Sequence, residues 1–147
     1  MAEEQAATEQ PEVGATQEDV EGPREPAQST DNAPIVCRQV QRPMLALGVA
    51  ANLVRRKPPF SNFNFGRMTS VLIGQIRRNH YLIAFRRGTP VGYIGWAVTP
   101  HEIAERWLNE GYTPKYHECI DGDSCVLLTV YSEAKNVTMQ LIRQARI

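Results

Sequence analysis

The sequence predicts an α+β domain in which a mainly antiparallel sheet is flanked by helices. Three observations carry that prediction. Residues 81–85 and 91–98 are apolar runs joined by the short turn Arg87-Gly88-Thr89-Pro90, the pattern of a hairpin. Thr99-Pro100-His101-Glu102 has the spacing of a capping box with proline at the first helical position, so a helix stands between this hairpin and a third strand, Ser124 to Ser132. Upstream and downstream of these, apolar residues recur at helical spacing.

The 147 residues hold at most one domain of ordinary size, and not all of them belong to it. Residues 1–34 carry nine acids against one base, Arg24, with four prolines and no aromatic residue, leucine or isoleucine. So little apolar surface cannot offset a backbone ordering cost of roughly 1–2 kcal/mol per residue, and the segment is read as a disordered acidic tail. Residues 35–147 hold fifteen bases against seven acids. The formal net charge of zero is thus the sum of a tail near −8 and a domain near +8, and at low salt the tail is expected to screen the domain from polyanions.

From Ile35-Val36-Cys37 the chain leads into Val40, Met44, Leu47, Leu53 and Val54, a helical pattern from about Pro43 to Arg56. Pro43 suits its first turn, and Arg55, Arg56 and Lys57 suit its last, beside the negative end of the helix dipole. Pro58-Pro59 ends it. The loop Phe60-Ser61-Asn62-Phe63-Asn64-Phe65-Gly66 is expected chiefly to pack a corner of the core and otherwise to line a pocket. Met68, Val71, Leu72, Ile73 and Ile76 give a second helix, closed by Arg77-Arg78-Asn79 with Asn79 as a left-handed cap. Tyr81 to Phe85 is apolar on both faces, as a central strand should be. Gly92 and Gly95 interrupt the second strand, marking either a bulge or a close approach to the backbone. The helix from Pro100 to Glu110 is stopped by Gly111, with Ile103, Trp107 and Leu108 as its buried stripe, and a polar loop from Tyr112 to Gly122 leads to the third strand. Val137, Leu141 and Ile142 mark a final helix.

Several functions are disfavoured by the same residues. The longest apolar runs, such as Val126 to Val130, fall far short of the roughly 20 residues of a membrane helix, and the acidic N-terminus is no secretory signal. Cys37, Cys119 and Cys125 are an odd number and are expected as reduced thiols in a cytoplasmic protein, which leaves the sequon Asn136-Val137-Thr138 without consequence. His117, Cys119, Asp121, Asp123 and Cys125 alternate along the chain, but without the paired spacing of structural zinc sites, so no metal is expected there. His80, His101 and His117 are scattered, none in a recognisable pairing with a Ser or Cys nucleophile, and no glycine loop of the phosphate-binding kind announces a cofactor. The arginine pairs at 55–56, 77–78 and 86–87 each end an element. They form a solvated rim or a dock for an acidic protein; nucleic acid fits less well, because the aromatic residues do not interleave with these bases.

The run Tyr81-Leu82-Ile83-Ala84-Phe85, the turn, then Pro90-Val91-Gly92-Tyr93-Ile94-Gly95-Trp96-Ala97, followed by a helix holding Leu108-Asn109, resembles the core of the RTX toxin-activating lysine acyltransferases, the haemolysin-activator family. The register extends without gaps to Gly48 and Pro58 on one side and Gly122-Asp123 on the other, covering roughly residues 43–132. The resemblance implies a fold related to the N-acetyltransferases and a reaction that moves a fatty acyl group from acyl carrier protein to protein lysines. It also implies a catalytic His, because a lysine of pKa about 10.4 attacks only after losing a proton, and an Asp to assist it. Those two positions are Phe60 and Thr129 here. Phenylalanine has no lone pair to accept a proton, and a threonine hydroxyl is neither a base near neutral pH nor a charge that stabilises an imidazolium. Asn62 is retained, and Tyr81, Tyr93, Trp96 and Asp123 fall on family positions as pocket or scaffold groups.

Family members continue for several tens of residues beyond the position of Ile147, so the resemblance implies a sheet truncated at its C-terminal side, with an edge that a partner strand would cover. The expectation is a scaffold that has lost its catalytic pair and acts by binding a protein partner, with an acyl chain or acyl carrier protein as further ligands. Two alternatives stand beside it. One is a structural subunit of a larger assembly. The other is an active acyltransferase using a different base or nucleophile: Cys125 and Thr129 lie four apart on a predicted strand, hence on one face, so a Cys125 thiolate would accept the acyl group there. Against this, no Lys, Arg or His adjoins Cys125 in sequence to lower its pKa.

Overall fold

The computed structural model describes residues 33–145, so the expected acidic tail lies, but for its last two residues, outside them. In chain order the elements are β1 (Ile35–Arg38), α1 (Pro43–Val54), a 3-10 turn (Phe60–Asn62), α2 (Phe65–Arg77), β2 (Tyr81–Arg86), β3 (Thr89–Thr99), α3 (His101–Glu110), a second 3-10 turn (Tyr116–Cys119), β4 (Ser124–Ser132) and α4 (Lys135–Ala145). The strands form one antiparallel sheet in the order β1-β2-β3-β4, each pairing with its neighbour in sequence. The fold is α+β.

The β2–β3 hairpin closes on Arg87 and Gly88, whose φ angles of 50° and 78° are the two positive values that a two-residue hairpin turn needs to follow the strand twist. β1 is an addition to the expected sheet. Its four residues were too few to show alternation in the sequence, and it is held at the edge by pairing with residues 83–86. Just after it, Val40 is pinned by Tyr81, whose hydroxyl donates to the Val40 carbonyl at 2.9 Å and accepts from the Val40 N–H at 3.1 Å.

Helices cover both faces. On one, α1 and α2 bury Ala46, Ala50, Leu53, Leu72 and Ile76 against Tyr81, Ile83, Tyr93 and Tyr131. On the other, Val137 and Leu141 of α4 pack on Ala84, Val91 and Ile94. A third cluster joins Ala97, Cys119 and Val126 to Trp107 of α3. α2 ends as expected: Asn79 is left-handed (φ 58°), and the Asn79 and His80 N–H groups bond back to the Ile76 and Gln75 carbonyls at 3.1 and 2.9 Å, the two bonds of a Schellman closure.

Four local expectations are corrected. Met44 is 77% exposed, and the buried side of α1 is formed by alanines at 46 and 50, which let the helix approach the sheet closely. α1 also stops at Val54, so Arg55 is its cap and the basic trio falls at and beyond its end. At α3 the capping box does not form: Thr99 pairs with Ser124 as the last residue of β3, its side chain is fully buried, and Pro100 becomes the cap residue with no side-chain bond. Gly111 stops this helix as expected (φ 67°), but Leu108, placed in its buried stripe, is 74% exposed.

Candidate functional site

One face of α2 forms the wall of a cleft of about 400 Å³, within the range of small-molecule sites. Arg67, Val71, Gly74 and Arg78 follow one another at helical spacings of four, three and four residues, so they share a face. Gly74 keeps that wall shallow at its middle, since a Cβ there would meet the Arg78 guanidinium at 3.1 Å and the Tyr116 ring at 3.6 Å. Phe60 and Phe63 close one end, their rings stacked at 6.3 Å. Trp107 of α3 and residues Thr113, Pro114, Tyr116 and Cys119 of the following loop make the opposite wall, and Leu128 and Thr129 of β4 are the floor.

The floor depends on a bulge. β3 and β4 pair Gly95 with Thr129 but Trp96 with Leu127, so Leu128 is an extra residue and points to the same face as Thr129. Two consecutive side chains thereby enter the cleft. The bulge also shifts the alternation of β4, and Cys125, four residues before Thr129, is on the opposite face, in line with Leu127 and the α4 side. The expected shared face of Cys125 and Thr129 is thus corrected. Partial burial pushes the Cys125 thiol above its ordinary value, which also disfavours a thiolate.

Beneath the floor is a buried polar chain. The Tyr93 hydroxyl donates to Gln75 Oε1 at 2.7 Å, and Gln75 Nε2 donates to Thr129 Oγ1 at 3.1 Å, with all three side chains at 1% exposure or less. Burial, then the neighbouring Tyr81, drive the Tyr93 phenol far above its ordinary range, so it stays a protonated donor. Gln75 reaches its partners only because residue 95 is glycine: a Cβ there would collide with the Gln75 carboxamide. Both readings of the strand glycines therefore hold at Gly95, which sits beside a bulge and receives a close neighbour.

The outer loop is braced from outside. Tyr112 donates to Glu118 at 2.8 Å, Glu118 accepts the Lys115 N–H at 2.7 Å, and the Arg106 guanidinium lies 3.9 Å from the Tyr112 ring centre. The Lys115 N–H, then the Tyr112 hydroxyl, hold the Glu118 carboxyl below the usual carboxylate range.

Of the residues singled out in the sequence, the structure brings Phe60 and Thr129 together in the cleft and links Tyr93 to it through Gln75. The others lie elsewhere. Tyr81 is a core residue, Trp96 stacks on His80 at 6.0 Å on the far face of the sheet, and Asn62 and Asp123 are exposed outside the cleft. The aromatic loop, expected mainly to pack the core, divides: Phe60 packs against the α1–α2 core cluster and lines the cleft together with Phe63, while Phe65 is 79% exposed as the first residue of α2. Gln75 and Gly74 were missed, and Arg78, singled out only within the rim pair 77–78, lines the cleft. The only signal in the sequence was Gly95, which announced a close approach without saying by what.

The thiol in the cleft wall is Cys119, not Cys125, and burial raises its pKa although Arg78 pulls the other way. Among the described residues no group of three or more His, Cys, Asp or Glu side chains is placed to hold a metal ion, and no helix is long and apolar enough to cross a membrane. No protein-family model matches the chain, and no curated protein matches it.

Proposed function

We propose that this chain is a binding protein built on the scaffold of the RTX toxin-activating lysine acyltransferases, without the family reaction, and that the α2 cleft is its ligand site. One observation carries the reading. Phe60 and Thr129, 69 positions apart and set by the resemblance on the family's catalytic His and Asp positions, line the same cleft. Neither side chain accepts a proton near neutral pH, and Thr129 is already the acceptor of the Gln75 amide. An apolar cleft without a base suits the holding of an acyl chain. The fifteen bases against seven acids of residues 35–147 suit an acidic protein such as acyl carrier protein. A second surface for a protein partner is offered by α1, where Met44 and Leu45 are 77% and 54% exposed on a helix that is apolar nearly all round.

The experiment is a transfer assay with acyl carrier protein loaded with a fatty acid and a lysine-bearing acceptor protein, read by intact mass. The expected result is binding of the loaded carrier with no mass gain on the acceptor. A mass gain of one acyl group on the acceptor, above that without the protein, would establish an active enzyme and reject the proposal.

A further inference from the structure

Two cations and no carboxylate line the cleft. Arg67 and Arg78 are eleven residues apart on one face of α2, hence about 16 Å along the helix axis, with Val71 and Gly74 between them. Arg67 is engaged: its Nη2 donates to Thr113 Oγ1 at 2.9 Å, and its guanidinium lies over the Phe63 ring. Arg78 is not. Among the described residues it has no carboxylate partner and no hydrogen-bond acceptor, its Nε is shut off from solvent, and its contact is the face of the Tyr116 ring at 5.0 Å. Its charge is nevertheless felt at Cys119 in the cleft wall, where it works against the burial that raises the thiol, and outside the cleft at His80, where it adds to the burial that lowers the imidazole.

A guanidinium set in an apolar wall without a counter-charge is a partly desolvated, unpaired cation, and a ligand anion would offset that cost. The planar fork matches a carboxylate, and a single free guanidinium balances one negative charge, whereas a phosphate monoester carries nearly two. Away from Arg78 most of the lining is apolar, with Phe60, Met68, Val71, Trp107 and Leu128 as its large side chains, and the polar Arg67, Thr113 and Thr129 are already hydrogen-bonded within the protein. We infer that the cleft binds a free long-chain carboxylate, with the chain along the α2 face between Arg78 and Phe60 and the carboxylate on the Arg78 guanidinium. This rests on the reading of the cleft as an acyl-binding site and specifies its ligand as a fatty acid anion instead of a neutral acyl group.

Equilibrium dialysis of the full chain with dodecanoate and with dodecan-1-ol tests it, using the wild type, Arg78→Gln, the adjacent exposed-arginine control Arg77→Gln, and Val71→Trp to fill the cleft, each checked for folding by circular dichroism. The expected result is one dodecanoate per chain, bound roughly tenfold or more weaker by Arg78→Gln, unchanged by Arg77→Gln and lost in Val71→Trp, with dodecan-1-ol indifferent to the arginine changes. Equal binding of acid and alcohol, with no effect of Arg78→Gln, would overturn the carboxylate inference and leave the acyl cleft standing. Absence of binding by either ligand, or binding that persists in a folded Val71→Trp, would overturn both.

Discussion

Gln75 sets the character of the site at the scale of single residues. Its carboxamide is the only partner of the Tyr93 hydroxyl and of the Thr129 hydroxyl among the described residues, and Gly95 is the space that admits it. Gln75→Leu leaves two buried polar groups unpaired, each costing about 1–3 kcal/mol, so it should destabilise the protein more than Thr129→Val, which removes only one end of the chain. Gly95→Ala should cost about 1–3 kcal/mol or more by overpacking, and Gln75→Ala should restore part of that loss in the double variant; urea denaturation of the four proteins measures the coupling. His80 gives a pH signature. Burial, then the charge of Arg78, lower its pKa from 6.5, and its Nδ1 is buried without a partner. The unfolded chain therefore binds a proton below about pH 6.5 that the native state resists, and stability falls as the pH drops from about 7 toward 5. His80→Phe keeps a ring on Trp96 and removes this contribution, so the fall in Tm between about pH 7.5 and 5.5 should be smaller in the variant than in the wild type.

At the scale of elements, what the sequence made legible was whatever depends on local chemistry. The turn at Arg87-Gly88, the Asn79 closure of α2 and the Gly111 stop of α3 all rest on backbone conformations that a few neighbouring residues dictate. What it hid depends on partners distant in the chain. Thr99 looked like a helix cap because its neighbours fit a capping box, but pairing with Ser124 commits its side chain to the interior. The bulge that sends Leu128 and Thr129 into the cleft together, and Cys125 away from it, arises between two strands and leaves no mark on β4 itself. α1 misled for a different reason: with nearly every position apolar, periodicity could not tell the buried Ala46 and Ala50 from the exposed Met44. That difference has a measurable consequence. Ala50→Leu should cost about 1–3 kcal/mol by overpacking, while Met44→Ala should change stability by less than about 0.5 kcal/mol. Gly48, exposed in mid-helix with nothing within 4 Å of a would-be Cβ, should gain roughly 0.5–1 kcal/mol on replacement by alanine. Thermal or chemical denaturation checks all three.

At the scale of the whole molecule, a four-stranded sheet covered by helices on both faces frames the cleft between α2, α3 and the β4 bulge, and no His, Asp or Glu side chain is among the residues that line it. The resemblance singled out Phe60 and Thr129 as a pair; that they line one cleft with Arg78 and Tyr116 required the fold. The most direct test of this account is an amide chemical-shift map of the protein titrated with acyl-loaded carrier protein. The account predicts perturbations concentrated at Val71, Gly74, Tyr116, Leu128 and Thr129, around the cleft. Shifts confined to α4 and β1, with the cleft amides unmoved, would contradict it.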